Sequence, residues 1–168
     1  TNDCWYLTVR EKHTGLNSNL TEFTIHRYNG NVPSTQVGGE NYDQRFVCPF
    51  PFPNFAKASA TKLITANQLG GLVIHDLSDL NTYETTLETD TTINFKFTDP
   101  WGLSSDGTRV LVTEPAVNVV HAFDGDVGIY RGTAGIAYEP GDDKSHMNGP
   151  AHAIIHDKYL VVVDTKNH

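Results

Sequence analysis

The chain has 168 residues, enough for one domain with a sizeable core, and its 38% hydrophobic content with 14 glycines and 8 prolines suits a turn-rich β protein. A formal charge of −8, from 12 basic and 20 acidic residues, argues against nucleic acid as a partner, because neutralising phosphates takes a basic face. No apolar run approaches the roughly 20 residues needed to cross a bilayer, so no membrane span is expected.

Taken in order, the segment from Trp5 to Arg10 reads as a strand, followed by a polar loop over 11–21 that contains Gly15, Asn17, Ser18 and Asn19. Phe23, Ile25 and Arg27 alternate with Thr24, His26 and Tyr28, the period of a second strand. The polar, glycine-containing stretch 33–43 reads as an insert or a mobile loop. VCPFPFPNF, from Val47 to Phe55, has three prolines and reads as a packed connector, because proline offers no N–H to a ladder. Leu63 to Ala66 and Leu72 to Asp76 make a hairpin, and threonine-rich strands are expected over 83–89 and 91–97. Arg109 to Thr113 and Val117 to Phe123 are β-branched runs separated by Pro115, with a Ser105-Asp106-Gly107-Thr108 turn before them. A strand is expected over 128–131, then a polar loop EPGDDKSHMNG over 139–149. No segment sustains helical apolar spacing between caps.

Three segments, PNFAKASATKLITAN, PWGLSSDGTRVLVTE and PAHAIIHDKYLVVVD, align without a gap from Pro53, Pro100 and Pro150. Each has a proline, a short strand, a turn, an apolar strand and an acidic or amide residue at its end. Leu7 to Glu11 supplies part of a fourth copy. Leu63 stands 47 residues before Val110, and Val110 stands 50 before Leu160, a period that fits one four-stranded blade of a β-propeller. Ile25-His26, Ile74-His75 and Val120-His121 are expected at one common place in the following strand. The second strand of each copy is expected to be dry on both faces, with Val110, Val112, Leu160 and Val162 on one side and Leu111 and Val161 on the other.

PWGLSSDGTRVLVTEPAVNVVHAFD resembles the YVTN and NHL type of β-propeller repeat, and Asp164-Thr165-Lys166-Asn167-His168 is similar to the stretch that gives the NHL name. The copy at Pro53 lacks the Gly after the proline and the Asp-Gly turn. The resemblance implies an all-β fold over 1–168, a partial propeller with blade remnants at 1–50, 51–98, 99–147 and 148–168. It implies an interaction or structural scaffold, completed by the rest of a precursor or by another polypeptide as a homo-oligomer or filament-type assembly. The alternative it implies is a piece of a metal-dependent hydrolase or lyase, lactonase-like or amidating-lyase-like. Both ends of the sequence fall within a blade, so unpaired strand edges are expected there.

The residues add candidate sites. His152 and His156 sit on the strand after Pro150, the innermost in such a blade, where imidazole and carboxylate could take zinc or calcium. His146 with Asp142 and Asp143 makes a polar cluster whose spacing fits no calcium loop. Glu11, Asn67, Glu114 and Asp164 end the second strands and are expected to cap turns by side-chain-to-backbone bonds. Cys4 and Cys48 are compatible with one disulfide or with two free thiols. Asn19 lies in a glycosylation sequon, and with seven tyrosines and many threonines and asparagines it favours an extracellular or surface location. No nucleophile elbow, reactive-cysteine context or phosphate loop is present.

Overall fold

The computed structural model describes residues 4–12, 21–29, 44–48, 54–57, 61–67, 71–85, 97–125 and 129–167. Among them there is no helix, and the chain is all-β. Thirteen strands run in order: β1 (Cys4–Lys12), β2 (Thr21–Asn29), β3 (Gln44–Cys48), β4 (Asn54–Lys57), β5 (Lys62–Asn67), β6 (Gly71–Asp76) and β7 (Tyr83–Thr85). They continue with β8 (Leu103–Ser105), β9 (Arg109–Glu114), β10 (Val119–Asp124), β11 (Tyr130–Ala134), β12 (Pro150–His156) and β13 (Tyr159–Asp164).

The strands form four antiparallel sheets, each a sequential meander: β1-β2-β3, β4-β5-β6-β7, β8-β9-β10-β11 and β12-β13. Neighbours in sequence pair because short turns bring them back on themselves. In the turn from β8 to β9, Asp106 Oδ1 accepts the N–H groups of Thr108 (2.9 Å) and Arg109 (2.7 Å). Pro115 opens the β9–β10 turn, and Asn118 closes it at φ 62, a left-handed conformation that Asn tolerates better than most residues. Expected strands differ in extent: β1 is longer at both ends, β10 starts at Val119 with Val117 in the turn, β11 starts at Tyr130, and β7 is described to Thr85 with 86–96 outside the described residues. The expected insert at 33–43 also lies outside the described residues.

Side-chain alternation decides how the sheets meet. On β5, Leu63 joins Ile25 and Phe46 of the first sheet and Leu80 in one dry cluster. Ile64 and Ala66 point the other way and join Leu103, Val110, Val112 and Phe123 of the third sheet. On β9, Val110 and Val112 face the second sheet, while Leu111 clusters with Ala153 of the fourth. The sheets are therefore stacked face to face in chain order, an arrangement compatible with propeller blades.

This alternation is the expected dry second strand, realised on β5 and β9. It is not realised on β13, where Leu160 is 38% exposed and Val161 and Val163 are more so. The equivalents of Val161 are buried because a following sheet lies on them, and among the described residues none lies on β13. Leu160 is on the opposite side, partnered with Ile155 next to the Asp157-Lys158 turn and outside the cluster that Ala153, Ile155 and Val162 make with Leu111, so the expectation that it is core is corrected too. A second correction concerns the histidines. His26 pairs with Leu7 and His75 with Leu63, equivalent places, but His121 pairs with Val112, and Phe123 takes the place opposite Val110. Four residues join Glu114 to Val119 against three between Asn67 and Gly71, and His121 follows Val110 by 11 residues where His75 follows Leu63 by 12; together these set His121 two residues nearer its turn.

Leu63→Ala, at a fully buried site, is expected to cost about 2–5 kcal/mol in urea unfolding. Leu160→Ala should cost under about 1 kcal/mol, near the range of surface changes. Equal losses at the two sites would contradict this packing.

Candidate functional site

The chemically rich residues lie where one sheet hands over to the next. Glu114, at the end of β9, is 2% exposed. Its Oε1 accepts the backbone N–H groups of Thr98 (2.5 Å) and Asp99 (2.9 Å), and His121 Nε2 donates to its Oε2 at 2.6 Å. Burying a carboxylate is costly unless its lone pairs are filled, and here three donors fill them. Asp164, at the end of β13, repeats the arrangement. Asn148 N–H donates to both of its oxygens at 2.9 Å, and Asn167 Nδ2 donates to Oδ2 at 2.7 Å. Thr98 and Asn148 each stand two residues before the proline that opens the copy. The carboxylate thus clasps the lead-in of its own sheet, as expected for turn caps. Its signature in sequence is the constant spacing of fourteen residues from Pro100 to Glu114 and from Pro150 to Asp164.

A second set of contacts ties the third sheet to the fourth. Thr113 Oγ1 donates to Ala151 O (3.1 Å) and Ser104 Oγ to Ala153 O (2.5 Å), holding two carbonyls of β12. Asn118 Oδ1 accepts the N–H of Gly149 at 3.1 Å. Gly102 lets β12 come this close, since a Cβ there would stand 2.4 Å from Ala151 O. No periodicity in the sequence marks these residues.

The buried histidines serve packing. His75 Nδ1–H donates to Leu80 O (3.1 Å), so its Nε2 accepts from Thr65 Oγ1 (3.4 Å), and its ring meets Phe46 edge-on at 4.7 Å. Both nitrogens are used by the neutral tautomer, and burial lowers the pKa of His75 below the ordinary imidazole value of 6.5 despite the bond to Leu80. Thr24 and His26, also buried, are hydrogen-bonded at 3.0 Å.

The remaining candidates are dispersed. His152 and His156 lie four residues apart on one strand, about 13 Å at the usual rise, and the structure does not bring them together. His152 Nδ1 lies 3.0 Å from where a Cβ on Gly102 would be, and His156 Nε2 lies 3.8 Å from Asp157. His146 Nδ1–H donates to Asp143 Oδ2 (2.8 Å), with Glu139 Oε2 3.7 Å from Nε2; hydrogen bonding to Asp143 raises the His146 pKa above 6.5. Asp142 is exposed beside them. Among the described residues no group of three or more His, Cys, Asp or Glu side chains is placed to hold a metal ion. Cys4 stands opposite Asn29 and Cys48 opposite Phe23, six residues apart along β2. That is about 20 Å at the usual strand rise, against the roughly 7 Å that a disulfide spans. Asn19 lies outside the described residues.

Among the described residues, none covers the outward side of the fourth sheet. Strand partners share a face, so His152 and Val163, Ile154 and Val161, and His156 and Tyr159 line one side of β12–β13. All six are exposed. Their counterparts on the third sheet, Gly102, Ser104, Leu111 and Thr113 among them, are covered by β12. No protein-family model matches the chain, and no curated protein matches it significantly.

The two perturbed histidines carry opposite pH signatures. For His75, with its folded pKa lowered, stability is fully present above about pH 6.5 and is lost as pH falls through the folded value. For His146, with its folded pKa raised, the contribution is present below about 6.5 and is lost as pH rises through the folded value. Since His146 is at the surface, its share is screened and small. The ring protons of His75 should titrate below 6.5 and those of His146 above it in NMR, and His75→Gln should flatten the acid side of the stability profile. The reverse order of titration would contradict the assigned bonds.

Proposed function

We propose that the chain is a module of the β-propeller repeat type, acting as an interaction or structural scaffold that is not itself an enzyme and is displayed outside the cell or on its surface. One observation carries this reading. Among the described residues, the buried polar side chains are spent on holding the sheets and their loops together. Glu114 and Asp164 clasp the lead-ins of their sheets, Thr113, Ser104 and Asn118 bind the next one, and His75 locks a loop carbonyl. Among the described residues the fourth sheet turns outward Ile154, Val161 and Val163 beside His152, His156 and Tyr159, an apolar patch with a polar margin of the kind by which proteins associate. The surface location rests on the Asn19 sequon and on composition. No helix of the described residues is long and apolar enough to cross a membrane.

Metal analysis of the purified chain separates this from the hydrolase or lyase alternative. After dialysis the scaffold reading expects no stoichiometric zinc or calcium. One equivalent of either metal, lost in the His152→Ala variant, would replace the scaffold reading with the enzyme one.

A further inference from the structure

A short loop reaches into the seam between the first and second sheets. Residues 77–82 join β6 to β7, and Leu80 among them is fully buried in one cluster with Ile25, Phe46 and Leu63. The loop is tied from both sheets. Arg27 of β2 donates through Nη1 to Leu77 O at 2.6 Å and lies 3.5 Å from Ser78 O. His75 of β6 donates to Leu80 O at 3.1 Å, and its ring meets Phe46 of β3 edge-on. Asp76 Oδ1 accepts the N–H and hydroxyl of Ser78, and Asp79 accepts from Asn81 and Thr82. These caps give the loop a shape of its own. Its residues Ser78, Asp79, Asn81 and Thr82 are exposed, whereas β6 is paired on both sides. When this seam yields, the loop is therefore the element that moves.

We propose that residues 77–82 form an acid-operated latch, in which protonation of His75 releases Leu80 and uncovers the apolar seam between the first and second sheets. The proposal goes beyond the scaffold reading and does not depend on it. Neutral His75 uses both nitrogens, with Nδ1–H on Leu80 O and the Thr65 hydroxyl on Nε2. A second ring proton takes away that acceptor and puts a charge where the side chain has no exposure to water. Titratable and charged residues stand on each element that packs there: Arg27 on β2, Arg45 and Cys48 on β3, Lys62 on β5, Tyr83 on β7, and Asp76 and Asp79 at the loop. Bonds to Ser78 hold the Asp76 carboxyl below its ordinary 3.8, and bonds to Asn81 and Thr82 do the same for Asp79. Both stay ionised while His75 titrates, so the caps survive and the loop lifts as a unit. Burial keeps His75 below 6.5 while the latch is closed, and water restores its ordinary value when it opens. Opening is thus favoured by up to about tenfold for each unit that pH falls below 6.5, until the closed-state value is reached.

Hydrogen exchange of the full chain between about pH 7.5 and about pH 5, corrected for the intrinsic pH dependence of exchange, tests the latch. The reporters are the N–H groups of Asp76, on Thr82 O, and of Leu77, on Thr61 O. Their protection should fall at least about threefold by pH 5 and level off where the His75 ring titrates in NMR. Local opening exposes little surface, so their exchange should ignore low urea and outpace that of the Thr113 N–H, which is bonded to Gly102 O in the third sheet. His75→Gln keeps a neutral donor for Leu80 O and should hold the protection level across the range. Should that variant not fold, the wild-type profile decides, through its levelling point and its indifference to urea. Unchanged protection at pH 5, a fall that persists in His75→Gln, or exchange at Asp76 and Leu77 that matches Thr113 in rate and urea dependence would each overturn the proposal.

Discussion

The structure depends on one constraint: the second strand of a sheet is apolar on both sides and must be covered on both. A strand whose side chains alternate between two dry neighbours has no solvent face, so it reads as a nearly continuous apolar run. KLITAN and RVLVTE satisfy this, with four buried residues in a row over 63–66 and five over 110–114. Covering both sides forces sheets to stack, and stacking in chain order follows from each sheet being built from a contiguous segment. At roughly 1.5–3 kcal/mol for each fully buried large apolar side chain, these central strands supply much of the folding drive.

The polar residues follow from the same constraint. Loops that enter and leave a stacked sheet run into its buried margin, and their backbone N–H groups need acceptors there. Glu114 and Asp164 provide them from the ends of second strands. Ser104 and Thr113 provide donors for carbonyls on the free inner edge of β12. On the fourth sheet the matching positions are Ile154 and Val163, which have no hydroxyl. Its outer face therefore lacks those two hydroxyls and sets Ile154, Val161 and Val163 beside the exposed His152, His156 and Tyr159.

The sequence carried the fold class and the strand-end caps at Glu114 and Asp164, because both are written in local spacing. Proline, strand, turn, strand and acid recur at fixed distances, and the clasp needs only that fixed distance to form. Three things were not legible. The place of His121 depends on the length of the turn after Glu114, which a ladder register shows and a repeat alignment hides. Leu160 is exposed although it stands on the side of β13 turned to the third sheet, beside the hairpin turn and outside the cluster around Leu111, a tertiary fact absent from YLVVV itself. The separation of His152 from His156 follows from strand geometry: on a strand, residues four apart share a face but are too distant to share one ion.

A pair of double-mutant cycles tests the stacked arrangement most directly. Ile64 and Val112 belong to different sheets but to one cluster, while Leu63 and Leu111 belong to clusters on opposite sides. Alanine substitutions at Ile64 and Val112 should couple by at least about 0.5 kcal/mol, and those at Leu63 and Leu111 should add within about 0.5 kcal/mol. Additivity in the first pair together with coupling in the second would contradict the account.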